Sequence, residues 1–171
     1  MIATVGMAAA IFLPMLAETW RSARNDRILR AQGAVEPAGD VYRVMALAYP
    51  GAFVAILLEG ALRGAGGDRL FAAGMLGFAA AKALKYWAIA ALGPRWTFRV
   101  LVPPHSVRTV SGPYRWMSHP NYVAVAGELA GAALAARAVV AGPLAVLGFG
   151  LLMWRRIAVE ERALRAIESP Q

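Results

Sequence analysis

Two short polar stretches hold most of the residues in this chain that could do chemistry. The first, Gly112-Pro113-Tyr114-Arg115-Trp116-Met117-Ser118-His119-Pro120-Asn121-Tyr122, contains one of only two histidines. The second, Arg156-Ile157-Ala158-Val159-Glu160-Glu161-Arg162, sets an arginine and two carboxylates at the end of an apolar run. His119 directly precedes Pro120, where a loop turns into a helix. Free backbone N–H groups and the positive dipole end make such a helix start attractive to anions. Glu160 could take an ammonium group, and Arg156 an anionic oxygen. Each residue also has a plainer reading. His119 could be an interfacial helix cap, and Arg156 and Glu160 are spaced as a surface ion pair worth under about 1 kcal/mol.

Between the stretches lies apolar sequence, so the chemistry depends on what positions it. Hydrophobic residues make up 59 % of the 171 and charged residues 16 %, against about 45–50 % and about 25 % in soluble proteins. Spans of roughly 20 apolar residues, long enough to cross a bilayer, occur at 1–20, 41–62 and 70–92. Residues 122–154 are too long for one span and contain Arg137 and Gly142-Pro143, which suit a turn. They divide into helices at 122–136 and 143–158. The expectation is an all-α integral membrane bundle of about five transmembrane helices, one domain over 1–171, the last two helices forming a hairpin. Residues 21–32 read as a separate amphipathic helix on the membrane surface. Residues 93–121 form a long Pro-containing loop, the kind that binds or catalyses.

Arginine placement orients the bundle. With the N-terminus outside and the C-terminus cytoplasmic, 13 arginines fall on inner segments and 3 (Arg63, Arg69, Arg137) on outer ones, a strong positive-inside bias. Trp20, Trp87, Trp96, Trp116 and Trp154 fall at predicted inner ends, as an interfacial belt would. Both polar stretches then face the cytoplasm, which in a bacterium places the protein in the inner membrane. Residues 1–17 carry no charge, so they read as a retained helix rather than a cleaved signal. The net charge of +8 in so apolar a chain favours anionic lipid headgroups over nucleic acid as partner.

Glu128 lies well inside the fourth span, where a lone carboxylate is costly and marks a candidate site. Its competing reading is an ion pair with Lys82 or Lys85, which share a face of the third helix. Glu59, near an outer end, reads as reaching water. Tyr114, Trp116 and Tyr122 could offer faces to a sulfonium or an adenine ring, or simply belong to the belt. There are no cysteines, which removes disulfides and thiolate chemistry. No Walker A loop, GxGxxG or HExxH occurs, and His105 and His119 make no metal site by themselves.

The 112–122 stretch, an apolar hairpin, then Arg156 to Glu161 together resemble the isoprenylcysteine carboxyl methyltransferase family of membrane enzymes. Upstream, Ser22-Ala23-Arg24-Asn25-Asp26, Gln32-Gly33-Ala34-Val35-Glu36 and Trp96-Thr97-Phe98-Arg99-Val100 resemble a bacterial branch that O-methylates alkylpyrones. The resemblance implies S-adenosylmethionine as cofactor, with S-adenosylhomocysteine as product. It implies that Ser106, Val107, Arg108 and Thr109, with Tyr114, hold that cofactor. His119, Pro120, Asn121 and Tyr122 would join them, Glu160 would take the amino group, and Arg156 would contact the substrate oxyanion. Arg99, Glu128 and Glu161 are further candidates. The implied acceptor is a lipophilic molecule with a carboxylate or an enol or hydroxyl oxygen, entering from the bilayer. Two positions depart from the family pattern: Ser118 stands where an arginine is usual, and Ala124 where a glycine is usual. A non-catalytic membrane scaffold and a sterol-reductase-like enzyme using a nicotinamide are the alternative readings.

Overall fold

The structure is a computed structural model that describes residues 2–104 and 109–168, with side chains described over 3–104 and 109–163. Among the described residues it is all-helical: α1 (Ile2–Ala31), α2 (Tyr42–Leu62), α3 (Arg69–Leu92), α4 (Pro120–Ala136) and α5 (Ala141–Glu168). Four of these, all but α4, are long and apolar enough to cross a membrane. The expectation of five spans is corrected on this point. With 17 residues and about 1.5 Å of rise per residue, α4 falls short of the hydrocarbon thickness of about 30 Å.

α1 corrects a second expectation. No break follows Trp20, and one 30-residue helix runs on to Ala31. Its second half is held by protein rather than lying as a separate surface helix. Buried Asn25 donates to the Trp96 carbonyl at 2.7 Å, and Ser22 accepts from the Phe98 backbone N–H at 2.8 Å. Polar side chains this deep stay only where they are paired, and the loop after α3 supplies the partners. An isolated antiparallel bridge between Val35 and Val102 and an Asp40 carboxylate accepting from the Val100 N–H at 3.0 Å secure the same loop from the other side. Trp96 is accordingly buried and packs edge-on against Phe98. It is not part of an interfacial belt, unlike the exposed Trp20, Trp87, Trp116 and Trp154.

α3 and α4 make the most extensive helix pair, and small residues allow it. A Cβ on Gly131 would lie 2.5 Å from the Phe78 nitrogen, and one on Gly127 would lie 2.9 Å from the Ala81 Cβ. Close backbone approach of this kind is how helices associate in lipid. α4 ends in a Schellman motif, with Ala138 N–H donating to Ala133 O and Arg137 N–H to Leu134 O. Arg137 adopts the left-handed conformation there (φ 51°). The break falls at 137–140, so α4 ends at Ala136 as expected, and α5 starts two residues earlier than expected, with Gly142-Pro143 in its first turn, where a proline costs nothing. Glu59 of α2 covers that helix start, accepting from Ala141 N–H at 2.7 Å and Val140 N–H at 3.2 Å. It also pairs with Arg63 at 2.8 Å, so it is a structural cap and not merely a side chain reaching water.

Candidate functional site

α4 begins at His119-Pro120, and the polar end of α5 packs beside that start. His119 occupies the N-cap position, yet its side chain makes no capping bond. Its ring reaches α5 instead: Nε2 lies 3.0 Å from a Glu161 oxygen, and Nδ1 lies 3.8 Å from Glu160. One turn into α4, the Tyr122 hydroxyl donates to Glu160 at 3.0 Å. The histidine and tyrosine rings are 5.5 Å apart. The two polar stretches, distant in sequence, thus meet through three side-chain contacts.

They meet at a cavity of about 530 Å³, within the roughly 300–1,000 Å³ range of small-molecule sites. Its wall near the loop includes Thr109, Tyr114, His119, Asn121, Tyr122 and Glu160. Ser118, Arg99 and Arg156 also line it. Half-buried Tyr114 has its hydroxyl pKa raised, first by desolvation and then by the nearby Glu160 charge, so it stays a neutral donor. Among the described residues, Thr109 Oγ1, Asn121 Oδ1 and Arg156 Nε, buried polar atoms of residues on this wall, have no hydrogen-bond partner. An unpaired buried polar atom costs about 1–3 kcal/mol. Beside the Glu160 carboxylate, these residues bring a hydroxyl, an amide and a guanidinium to the wall, a lining suited to a guest carrying both donors and acceptors.

Other expected residues fall elsewhere or carry additional duties. Trp116 does not line the cavity. It is exposed and tilted against Trp87 at 5.4 Å. Pro120 is buried as the first residue of α4 and serves the helix start. Glu161 reaches the site through His119. Arg156 donates to the Phe98 carbonyl and lies 3.9 Å from Asp40, so it fastens the 93–102 loop to α5 as well as facing the cavity. Arg99 pairs with Glu36 at 2.8 Å and Asp26 at 3.4 Å and lies over the Tyr42 ring. Burial pushes the Glu36 carboxyl up, but hydrogen bonds from Arg30 and Arg99 outweigh it, and the pKa is held below the ordinary value. Ser106, Val107 and Arg108 lie outside the described residues.

Glu128 is fully buried and paired with lysines, as its plainer reading proposed, with Lys82 at 3.0 Å and Lys85 at 3.5 Å. Sequence reasoning missed the third helix in this group: Glu18 of α1 pairs with Lys82 at 3.0 Å and Lys85 at 2.7 Å. It also missed that Tyr49 and Lys85 line the inner part of the cavity. The signal for Glu18 was available, as a carboxylate inside an otherwise uncharged apolar stretch.

Residues 72–166, more than half of the chain, match the isoprenylcysteine carboxyl methyltransferase (ICMT) family. The chain belongs to this family. The matched region begins inside α3 and carries the Tyr114–Tyr122 wall, the His119 contacts and the Glu160 end of α5, while the part of the lining that α1 and α2 supply lies before it. At full length the chain is similar to the uncharacterized protein YpbQ of Bacillus subtilis (strain 168). The two are 28 % identical over 163 residues, covering 93 % of this chain and 95 % of that one. No solved structure matches. The ICMT family is one of membrane methyltransferases, in keeping with the four membrane-length helices.

Proposed function

We propose that the protein transfers a methyl group from S-adenosylmethionine to an oxygen of a lipophilic acceptor at the cytoplasmic face of a bacterial inner membrane. The observation that carries this reading is the set of unpartnered polar atoms, Thr109 Oγ1, Asn121 Oδ1 and Arg156 Nε, on one wall with Glu160. That donor set fits an aminoacyl nucleoside. Glu160 would hold the ammonium group, with Tyr122 and His119 orienting its carboxylate. Thr109 and Asn121 would meet ribose or adenine edges, and the Tyr114 and Tyr122 rings would offer apolar and π surface to the adenine and the sulfonium. When bound, the cofactor supplies an already activated methyl group, so the chain's own task is alignment and exclusion of water.

The loop 93–104 and the start of α4 cover the cavity on the arginine-rich side, which supports cofactor entry from the cytoplasm. α4 and α5, joined by residues 137–140, act as a hairpin that returns Glu160 to His119. The apolar part of the wall, Met15, Met45, Val125 and Phe149, suits a lipid tail arriving from the bilayer. An alkylpyrone enol and a prenylcysteine carboxylate both meet these demands. For a carboxylate acceptor, Arg156 on the cavity wall would contact the oxyanion, its positive charge favouring the ionised form.

The test is mass spectrometry of detergent-purified protein for co-purified S-adenosylhomocysteine, followed by incubation with methyl-labelled cofactor and lipid acceptors. Label in an extractable, tailed O-methyl product is expected. Absence of both nucleoside binding and label transfer contradicts the proposal.

A further inference from the structure

Four charged side chains meet inside the bundle, and the site as described so far does not use them. Glu18, Lys82, Lys85 and Glu128 are all buried, Glu128 completely. All four carboxylate oxygens lie 2.7–3.5 Å from a lysine nitrogen, and each lysine bridges both acids. Two acids and two bases balance to no net formal charge. An apolar replacement of such a cluster is often as stable or more so, so its presence among membrane helices asks for a use. Tyr49 of α2 extends the cluster to the cavity. Its hydroxyl donates to Glu128 Oε2, the Lys85 ammonium lies 3.5 Å from the same hydroxyl, and both Tyr49 and Lys85 line the cavity that Glu160 lines at its other end. With its proton given to Glu128, the Tyr49 oxygen has a lone pair left to accept a hydrogen bond from a guest.

We infer that Tyr49 and Glu128 form a proton exit for a methyl acceptor that arrives as a neutral hydroxyl, a tailed phenol or enol rather than a carboxylate. The inference rests on the methyltransferase reading above. As the acceptor oxygen bonds to the methyl carbon, the carbon–sulfur bond breaks with its electron pair going to sulfur. The acceptor's proton passes to the Tyr49 oxygen, and the Tyr49 proton passes to the Glu128 carboxylate. The positive charge lost at sulfur reappears on the cluster, which goes from neutral to +1 until a proton returns to water. Lys85, beside the Tyr49 oxygen, steadies negative charge there in transit. A carboxylate acceptor has no proton to lose and would leave this path idle. Tyr49 is the catalytic residue in this account, and Glu128 acts through it.

The experiment compares wild type, Tyr49→Phe and Glu128→Gln on pentadecylphenol, on a dodecyl nitrophenol that is largely ionised at mildly alkaline pH, and on palmitate. Affinity for S-adenosylhomocysteine is measured on each protein by calorimetry. General acid–base groups contribute about 10²–10⁴-fold. Tyr49→Phe is therefore expected to lower kcat on pentadecylphenol by about 10²-fold or more, while its effect on the nitrophenol and on nucleoside affinity stays small. Glu128→Gln keeps a hydrogen-bond partner for Tyr49 but cannot take a proton, and should lose phenol turnover likewise. Equal activity of Tyr49→Phe and wild type on pentadecylphenol overturns the inference, as does equal loss on both phenols. Turnover of palmitate alone, or of no probe, by protein that binds the nucleoside also overturns the acceptor class while leaving the methyltransferase reading intact. A wild-type protein that binds no nucleoside overturns both.

Discussion

The cavity has two polar ends, and they are built on opposite terms. At the inner end, Glu18, Lys82, Lys85 and Glu128 pair as opposite charges, every carboxylate oxygen within ion-pair distance of a lysine, although Glu18 Oε2 and Glu128 Oε1 lack a well-aligned hydrogen bond. At the loop end, Thr109 Oγ1, Asn121 Oδ1 and Arg156 Nε have no hydrogen-bond partner among the described residues. Deep among helices an unpaired charge is costly, so charged groups there come in paired sets. Near the surface, incompleteness is tolerated because a guest or water can complete it. The contrast separates groups that hold the bundle together from groups that wait for a ligand, with Tyr49 the link between them.

Breaking the closed set should produce the largest effect. Lys85→Met leaves two buried carboxylates short of a partner, and loss of one member of a buried pair costs about 3–5 kcal/mol. Unfolding in mixed detergent should move accordingly. A double variant, Lys85→Met with Glu18→Leu, should recover much of that loss because the charge balance returns. A single variant as stable as wild type would mean the cluster is hydrated and the contrast false. Next in size is Asn25→Ala, which orphans the Trp96 carbonyl and loosens the loop under the open end. About 1–2 kcal/mol of stability should go, and hydrogen exchange over residues 93–102 should rise. Exchange that rises equally in α3 and α4 would show that Asn25 does not act on the loop selectively.

The smallest effect is one of pH. The hydrogen bonds from Arg30 and Arg99 lower the Glu36 pKa against the opposing effect of burial. Its stabilising contribution is therefore present above the ordinary carboxylate pKa and fades as pH falls through the lowered folded value. Glu36→Gln should flatten the acid limb of the stability profile and leave the neutral region nearly level with wild type. An acid limb of unchanged steepness would place the titration elsewhere.

Legibility in the sequence followed how local the cause was. Apolar runs of bilayer length announced the helices, and two polar stretches flanking apolar sequence announced that His119 and Glu160 meet. The pairing of Glu128 with Lys82 and Lys85 was readable because a buried charge demands an opposite one. The continuation of α1 past Trp20 was not, because Ser22 and Asn25 are satisfied by the Trp96–Phe98 backbone some seventy residues away, and nothing nearby shows it. The stop of α4 at Ala136 was readable from Arg137, which follows it in a left-handed conformation. Gly142-Pro143 set the start of α5 two residues late, because a proline that breaks a helix interior is equally at home in a first turn. Glu18 was equally readable, as a carboxylate at the end of an otherwise uncharged apolar run, but its nearness to the end of that run made it pass for a group reaching water.

The central claim is that the open end is a nucleoside site built by α4 and α5 together. Titrating S-adenosylhomocysteine into purified wild-type protein and Glu160→Ala by calorimetry tests it most directly. One saturable site is expected in wild type. In Glu160→Ala affinity should fall by at least about tenfold, the loss of a hydrogen bond to a charged group, with a modest drop in the unfolding midpoint because Tyr122 and His119 lose a partner. Equal affinity in the two proteins, or none in either, would contradict the account.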